Sequence, residues 1–464
     1  MSADALGLIG LGVMGQALAL RLAESGARVA VYDTGPEARA AAARCGLACA
    51  ADPAALVKTL APPRTLLLMV PAGEAVETAI AELAPLLAPG DSLLDGGNSH
   101  FKDSARRAGT LAGRGIRFLG VGISGGEAGA RHGAAIMAGG DETAYRDALP
   151  LLQAVAAEVE GEPCCAWFGP AGAGHFVKCL HNGIEYAAMQ LLAEAYALLR
   201  ELARLSAFEC ADVFADWARG PLAGFLVELA AQVLRKRDPE SGRALVDEVL
   251  DAARQKGTGQ WAAAAALELG RPAPIMAAAV HARALSALEP ERLAAAAAAP
   301  AARLLARSAK RLPFLLGEAL YGAMIAAYAE GFAVLGSARR DYGWPLELAR
   351  VAQVWRGGCI LRARVLEPIR AAYARAPELV HLALDSALGK ALATAERPWR
   401  RVLALGAARG IPLPAFAAAL SSLDGYRGRR LGAELVQAQR DAFGRHGFER
   451  RDRPGSFHAE WDKP

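Results

Sequence analysis

A short apolar strand, Leu6-Gly7-Leu8-Ile9, runs directly into Gly10-Leu11-Gly12-Val13-Met14-Gly15 at the start of the chain. This turn constrains the fold more than any other feature. A G-x-G-x-x-G run between a strand and a helix reads as the first crossover of a dinucleotide-binding βαβ unit. Gly10 permits the tight turn, Gly12 lets the backbone approach a pyrophosphate, and Gly15 lets the helix pack on the strand. The helix N-terminus then offers its unpaired N–H groups to phosphate. A second strand, Val29-Ala30-Val31-Tyr32, ends at Asp33, 23 residues after the first glycine. A lone glycine-rich turn is weak; strand, turn, helix and a carboxylate at this spacing together favour the cofactor reading.

Asp33 bears on which cofactor. A carboxylate there accepts from the ribose hydroxyls of NAD and repels the 2′-phosphate of NADP. Arg39 is close enough in sequence to compensate, so NAD is the preference and NADP stays open. The plain alternative for Asp33 is a turn-forming side chain. Val13, Met14, Thr34, Val70 and Asn98 complete the candidate cofactor wall.

The first 173 residues alternate apolar runs (6–9, 29–32, 65–70, 92–95, 117–120, 134–138) with helical stretches such as 16–25 and 75–87. That alternation predicts an α/β domain of Rossmann type with a mostly parallel sheet. From 174 to 428 strand signals vanish and alanine-rich helical periodicity takes over, predicting a large all-α domain. The segment 429–464 opens with a helix over 433–443 and turns polar, so it must lie on another surface, its own or a partner's. Within the helical part, Glu185-Tyr186-Ala187-Ala188-Met189 and Ala193-Glu194-Ala195 echo Leu320-Tyr321-Gly322-Ala323-Met324 and Ala329-Glu330-Gly331. Val213 and Trp217 echo Val351 and Trp355 in the same way. The echo indicates a duplicated helix set, or chance in an alanine-rich chain.

The chain has 464 residues, 53% hydrophobic and 22% charged, ample for large cores and too apolar for disorder. Nine Lys/Arg against six Asp/Glu from Arg427 to Pro464 supply three of the four net positive charges. No long basic run or RNP-like aromatic motif appears, so no nucleic-acid partner is expected. Seven scattered cysteines without a C-x-x-C pair fit a reduced interior. No basic leader and no uncharged run of about 18 residues occurs, so no membrane partner is expected and the cytoplasm is the default.

The helix predicted from Gly174 carries chemistry. Lys178, His181, Asn182 and Glu185 fall at offsets 0, 3, 4 and 7 and so share one face. A base and an acid on one rigid rod serve two successive proton transfers. The plain alternative is a solvated polar face. Leu94-Asp95-Gly96-Gly97-Asn98-Ser99 and Ser124-Gly125-Gly126-Glu127 each follow a strand, where carboxyl ends open into a ligand crevice. Taken singly, each is also ordinary turn chemistry. Gln255-Lys256-Gly257-Thr258-Gly259 with Arg283 forms a candidate anion cradle, though not a Walker motif, with a solvated loop as the alternative. His175 and His181 lack H-x-x-x-H spacing, and Cys179 has no second thiol, so no metal site is expected.

These blocks, with Trp355-Arg356-Gly357-Gly358-Cys359-Ile360 and Gln439-Arg440-Asp441 followed by His446, resemble the decarboxylating 6-phosphogluconate dehydrogenases over nearly the whole chain, from Leu8 to Trp461. Shorter β-hydroxyacid dehydrogenases are similar only toward the N-terminus. The resemblance implies oxidation of 6-phosphogluconate at C3 with a nicotinamide cofactor, then loss of CO₂ to give ribulose 5-phosphate, in the pentose phosphate pathway. It implies that Lys178 takes and returns the hydroxyl proton, that Glu185 protonates the enediol, and that no metal takes part. Asn98, Ser124, Gly125, Gly126, His181 and Asn182 would meet the carboxylate and hydroxyls. Tyr186, Lys256, Thr258 and Arg283 would meet the phosphate. Arg440 and His446 would reach the site of a partner subunit in a homodimer. A dehydrogenase of another phosphorylated sugar acid is the competing expectation. Tyr32-Asp33-Thr34 stands where the family commonly has Asn-Arg-Thr, Pro71 where it often has a lysine, and Arg254 where a small residue is usual.

Overall fold

A computed structural model describes residues 5–298 and 311–462. The expected division points at 173/174 and 428/429 fall within them, whereas residues 1–4, 299–310 and 463–464 lie outside.

The N-terminal part is one eight-stranded sheet. Its strands are β1 (Ala5–Ile9), β2 (Arg28–Tyr32), β3 (Ala48–Cys49), β4 (Thr65–Leu68), β5 (Ser92–Asp95), β6 (Arg117–Ser124), β7 (Ala135–Gly140) and β10 (Cys165–Trp167), while β8 (Glu158–Val159) and β9 (Glu162–Pro163) form a separate two-stranded turn. The order is β10-β7-β6-β5-β4-β1-β2-β3. All neighbours are parallel except β6 and β7, which run antiparallel from Leu119 opposite Gly140 to Ser124 opposite Ala135. Strands β5 and β7 are buried at every position, as a sheet covered on both faces requires. The covering helices are α1 (Val13–Glu24), α2 (Pro36–Arg44), α3 (Pro53–Thr59), α4 (Glu74–Leu83), α5 (Phe101–Ala112), α6 (Gly126–His132) and α7 (Glu142–Val155). One core on each face holds them.

The rest is helical: α8 (Ala173–Glu201), α9 (Ala207–Trp217), α10 (Phe225–Arg235), α11 (Thr258–Glu268), α12 (Pro274–Ser286), α13 (Glu289–Ala298), α14 (Leu312–Asp341), α15 (Leu348–Val354), α16 (Leu366–Arg375), α17 (Ser386–Arg409), α18 (Pro414–Arg427) and α19 (Ala433–Gly444). The echoed segments fall in α8 and α14, helices of 29 and 30 residues that pack on each other at the centre of the largest core. Helix α14 is long and apolar enough to cross a membrane by length and composition. Counting uncharged runs passes over it because Glu318 and Glu330 interrupt the stretch. Here it is a core helix, packed against α8 and α17.

The C-terminal segment adds a structure that its composition did not announce. After α19, strands β11 (Phe448–Glu449) and β12 (Ser456–Phe457) pair as a hairpin. The buried Asp441 carboxylate joins the pieces, accepting the N–H groups of Gly447 at 2.9 Å and Ala459 at 3.1 Å and the indole N–H of Trp461 at 2.8 Å. Four satisfied bonds around one carboxylate, His458 being the fourth at 2.7 Å, order a segment too small for a core.

Candidate active site

The turn after β1 holds Gly10 at φ +99°, and a Cβ there would lie 2.6 Å from the Met69 carbonyl oxygen. Only glycine fits. Gly12 starts α1 without a side-chain cap, so the first N–H groups of that helix face outward. They open on a cleft of about 740 Å³ lined by all nine expected cofactor residues: Gly10, Gly12, Val13, Met14, Gly15, Asp33, Thr34, Val70 and Asn98. No atom lies within 4 Å of where a Gly12 Cβ would stand. That open space beside free helix N–H groups fits a pyrophosphate. Lys256, which the resemblance assigns to the substrate phosphate, lines this same cleft, as do Gly97 and Asn98. Asp33 combines both of its readings. One carboxylate oxygen accepts the Leu11 N–H at 2.6 Å, and the other accepts the Gly35 N–H at 2.7 Å, bracing the turn while the group still faces the cleft. Arg39 donates to the carbonyl oxygens of Asp33 and Thr34 and lies over the Tyr32 ring.

Helix α8 starts against the carboxyl end of the sheet. It comes so close that a Cβ on Gly122 of β6 would stand 2.4 Å from the Cβ of Lys178. Lys178 is 6% exposed and His181 wholly buried, so the shared face predicted from offsets is an interior face, not a solvated one. Nδ1 of His181 lies 3.4 Å from Lys178 Nζ and 3.2 Å from Asn182 Oδ1, and its Nε2 lies 3.3 Å from Ser124 Oγ. Burial pushes the Lys178 ammonium below its ordinary pKa, with Glu185 pulling in the opposite direction. Burial also raises the Glu185 carboxyl, against the charges of Lys178 and Arg283. His181 is held well below its usual value by burial and then by Lys178, so its ring is neutral. Burial thus works against the charged form of the amine, the carboxyl and the imidazole on one rod.

Two loops face this helix. In the first, Asp95 accepts the Gly97 N–H at 2.9 Å, the Ser99 hydroxyl at 2.7 Å and the Arg107 guanidinium at 3.0 Å. Arg107, 2% exposed, also donates to Glu77 on α4 at 2.9 Å and so ties this loop to the cofactor side. Asn98 sits at φ +54°, a region asparagine tolerates, and its Oδ1 accepts the Ile123 N–H at 3.3 Å. In the second, Ser124 ends β6 and Gly125 and Gly126 lead into α6. The Gly358 carbonyl closes over Gly125 while accepting the Ala135 N–H at 2.8 Å. Trp355 from the same segment meets the His181 ring edge-on at 5.5 Å between centroids. Trp355 and Gly358 are contributors that residue-by-residue reading missed. Their only signal was the Trp-Arg-Gly-Gly-Cys-Ile string. His175, one turn before Lys178, is another: its Nδ1 lies 2.6 Å from the buried Ser104 Oγ.

At the other end of the face the Arg283 guanidinium lies 3.5 Å over the Tyr186 ring. Thr258 begins α11 after Gly257 at φ +88°, and its carbonyl is near the Cys179 thiol. Gly259, the next residue, packs against the Tyr186 ring, so the start of α11 and Arg283 meet on the same tyrosine. Cys179 is buried, as a packing residue should be. Arg440 and His446 stand apart on the C-terminal segment, where Arg440 donates to Gln437 at 3.1 Å and His446 packs on Phe443. Among the described residues no group of three or more His, Cys, Asp or Glu side chains is placed to hold a metal ion.

Two family models match the chain. Residues 5–169 match the NAD binding domain of 6-phosphogluconate dehydrogenase, and residues 174–461 match the C-terminal domain of the same enzyme. The NADP(+)-dependent decarboxylating 6-phosphogluconate dehydrogenase of Bacillus subtilis is 43% identical over 100% of both chains. The NAD(+)-dependent enzyme of that organism is also 43% identical, over 99% of this chain and 100% of its own. The solved 6-phosphogluconate dehydrogenase of Plasmodium falciparum, described with NADP+ and with 6-phosphogluconate, superimposes with a TM-score of 0.95 at 35% identity over 99% of this chain and 100% of that one. The chain belongs to the 6-phosphogluconate dehydrogenase family.

Proposed function

We propose that the protein oxidises 6-phosphogluconate at C3 and decarboxylates the product to ribulose 5-phosphate, with NAD or NADP as hydride acceptor. The observation that carries this reading is the buried Lys178 on the same rod as Glu185, set between the dinucleotide cleft and the Tyr186–Arg283 pair. A nicotinamide bound in the cleft would supply the acceptor for the C3 hydride. The neutral Lys178 amine takes the C3 hydroxyl proton as that hydride leaves. The resulting ammonium gives the proton to the C3 oxygen while the C1–C2 bond breaks and CO₂ departs. Those electrons form the C2–C3 double bond of an enediol. Lys178 then withdraws the hydroxyl proton again, and the protonated Glu185 supplies a proton to the carbon that becomes C1 of the product. A positively charged Lys178 polarises the carbonyl at the moment charge develops. Asn98, Ser124, Gly125, Gly126, His181 and Asn182 orient the carboxylate and hydroxyls. Tyr186, Thr258 and Arg283 take the phosphate, with Lys256 reaching it from the wall of the dinucleotide cleft. The unreactive phosphate thereby contributes binding energy that positions C3.

The Asp33 carboxylate in the cleft supports NAD over NADP. A homodimer completed by the C-terminal segment is supported by two exposed apolar surfaces. Leu431, Leu435, Val436 and Phe443 lie bare beside Arg440, and Val249, Leu250, Leu285 and Leu288 lie bare near Arg283. Two such faces call for a cover, and a second copy supplies it while delivering Arg440 and His446 to the phosphate. The functional division follows: 1–173 for the dinucleotide, 174–428 for substrate and dimer, 429–464 for the partner's site. Seven free thiols fit the cytoplasm. A steady-state assay with 6-phosphogluconate, run separately with NAD and NADP, tests the reading. Ribulose 5-phosphate and CO₂ in equal amounts, with higher kcat/KM for NAD, are expected. Oxidation without CO₂ release would instead favour a dehydrogenase of another phosphorylated sugar acid.

A further inference from the structure

The two long central helices each carry a buried glutamate that caps the start of another helix. Glu194 on α8 is 2% exposed and accepts the N–H groups of Ala415 at 2.8 Å and Phe416 at 3.0 Å, at the start of α18. Glu330 on α14 is 5% exposed and accepts those of Met276 at 2.8 Å and Ile275 at 2.9 Å, at the start of α12. Both capped helices begin with proline, and neither has a side-chain cap of its own. A carboxyl group bonded to two N-terminal N–H groups holds a helix along its axis as well as sideways.

What α12 carries makes this matter for the reaction. Met276 seats its sulfur against Gly183, where a Cβ would lie 2.5 Å away, next to Asn182 on the catalytic helix. Arg283 ends the same helix over Tyr186. So α12 is a rod pinned by Glu330 at one end and presenting a guanidinium at the other. Helix α18 ends instead in the irregular stretch Gly428–Gly432 before α19.

We infer that Glu330 is a positioning residue for the phosphate end of the substrate, acting through the axial placement of α12 on Arg283. This rests on the assignment of Arg283 to the phosphate. Glu194, likewise buried and bonded to two N–H groups but also accepting from the Gln190 side chain at 3.0 Å, caps a helix that does not carry Arg283 and serves as the comparison.

The test uses the full chain with Glu330→Gln, Glu330→Asp, Glu194→Gln and Arg283→Ala. Thermal stability, kcat, KM for 6-phosphogluconate and for cofactor, and competitive inhibition by inorganic phosphate are measured for each. Both Glu330 variants should raise the substrate KM and the phosphate inhibition constant about tenfold, as loss of binding made in ground and transition states alike does. Their cofactor KM should stay within about twofold of wild type, the scatter of an unaffected parameter. Glu194→Gln should lower thermal stability as Glu330→Gln does and leave both constants unmoved. Unmoved constants in both Glu330 variants, with Arg283→Ala raising them, would overturn the inference. Unmoved constants in Arg283→Ala would overturn the phosphate assignment beneath it.

Discussion

Lys178 is an amine whose charged form the fold disfavours. Removing an ammonium from water costs several kcal/mol unless it is fully paired, and burial is the leading influence on this side chain. The folded-state pKa lies below the ordinary 10.5, so the unfolded chain binds more protons over the range between the two values. Stability from this position is therefore lowest in acid, climbs as pH rises through the depressed pKa, and levels off above 10.5. Replacing Lys178 with Met should raise the melting temperature at neutral pH and flatten that climb, as followed by thermal unfolding across a pH series. The gain in stability should accompany a loss of turnover, the expected trade at a strained site. With the roles proposed above, activity should fall in acid as Lys178 gains a proton and in alkali as Glu185, raised by burial, loses one. The kcat/KM profile should accordingly be bell-shaped.

Helix α8 reaches the sheet because β6 offers Gly122 beneath Lys178. A Gly122→Ala chain should fold with α8 displaced outward. Since a misplacement of about 1 Å at a reacting centre costs about 10²-fold, kcat should fall by that order while the cofactor KM, set at β1 and α1, holds steady. The offsets of Lys178, His181, Asn182 and Glu185 were legible because helical periodicity is local. The first βα turn was legible because its glycines answer to local geometry. Contacts between distant segments were not. Nothing near His181 announces Trp355, which arrives from 174 positions away. Strand lengths blurred where burial on both faces removes alternation: β6 runs on to Ser124 and β7 to Gly140, beyond the expected 120 and 138, whereas β4 stops at Leu68. Strands β3, β11 and β12 have two residues each, too few to show a period. Lys256 was assigned by its glycine neighbours, and only the fold shows it on the wall of the dinucleotide cleft.

Across the whole molecule, one part is a dinucleotide-binding sheet, another buries Lys178 and His181 on a long helix, and an appendage leaves large apolar side chains bare. If that appendage completes the partner's site, Lys178→Ala and Arg440→Ala subunits must complement each other. Co-expression should yield mixed dimers with one intact site, and about a quarter of wild-type activity from two nearly inactive parents under random pairing. Activity no higher than the parents' sum would show that each chain builds its own site. The most direct test of the account as a whole is single-site kinetics of Lys178→Ala with saturating 6-phosphogluconate and cofactor. kcat should fall by at least about 10²-fold, the usual worth of a positioned base, with cofactor affinity retained. Near-normal turnover in that variant would contradict it.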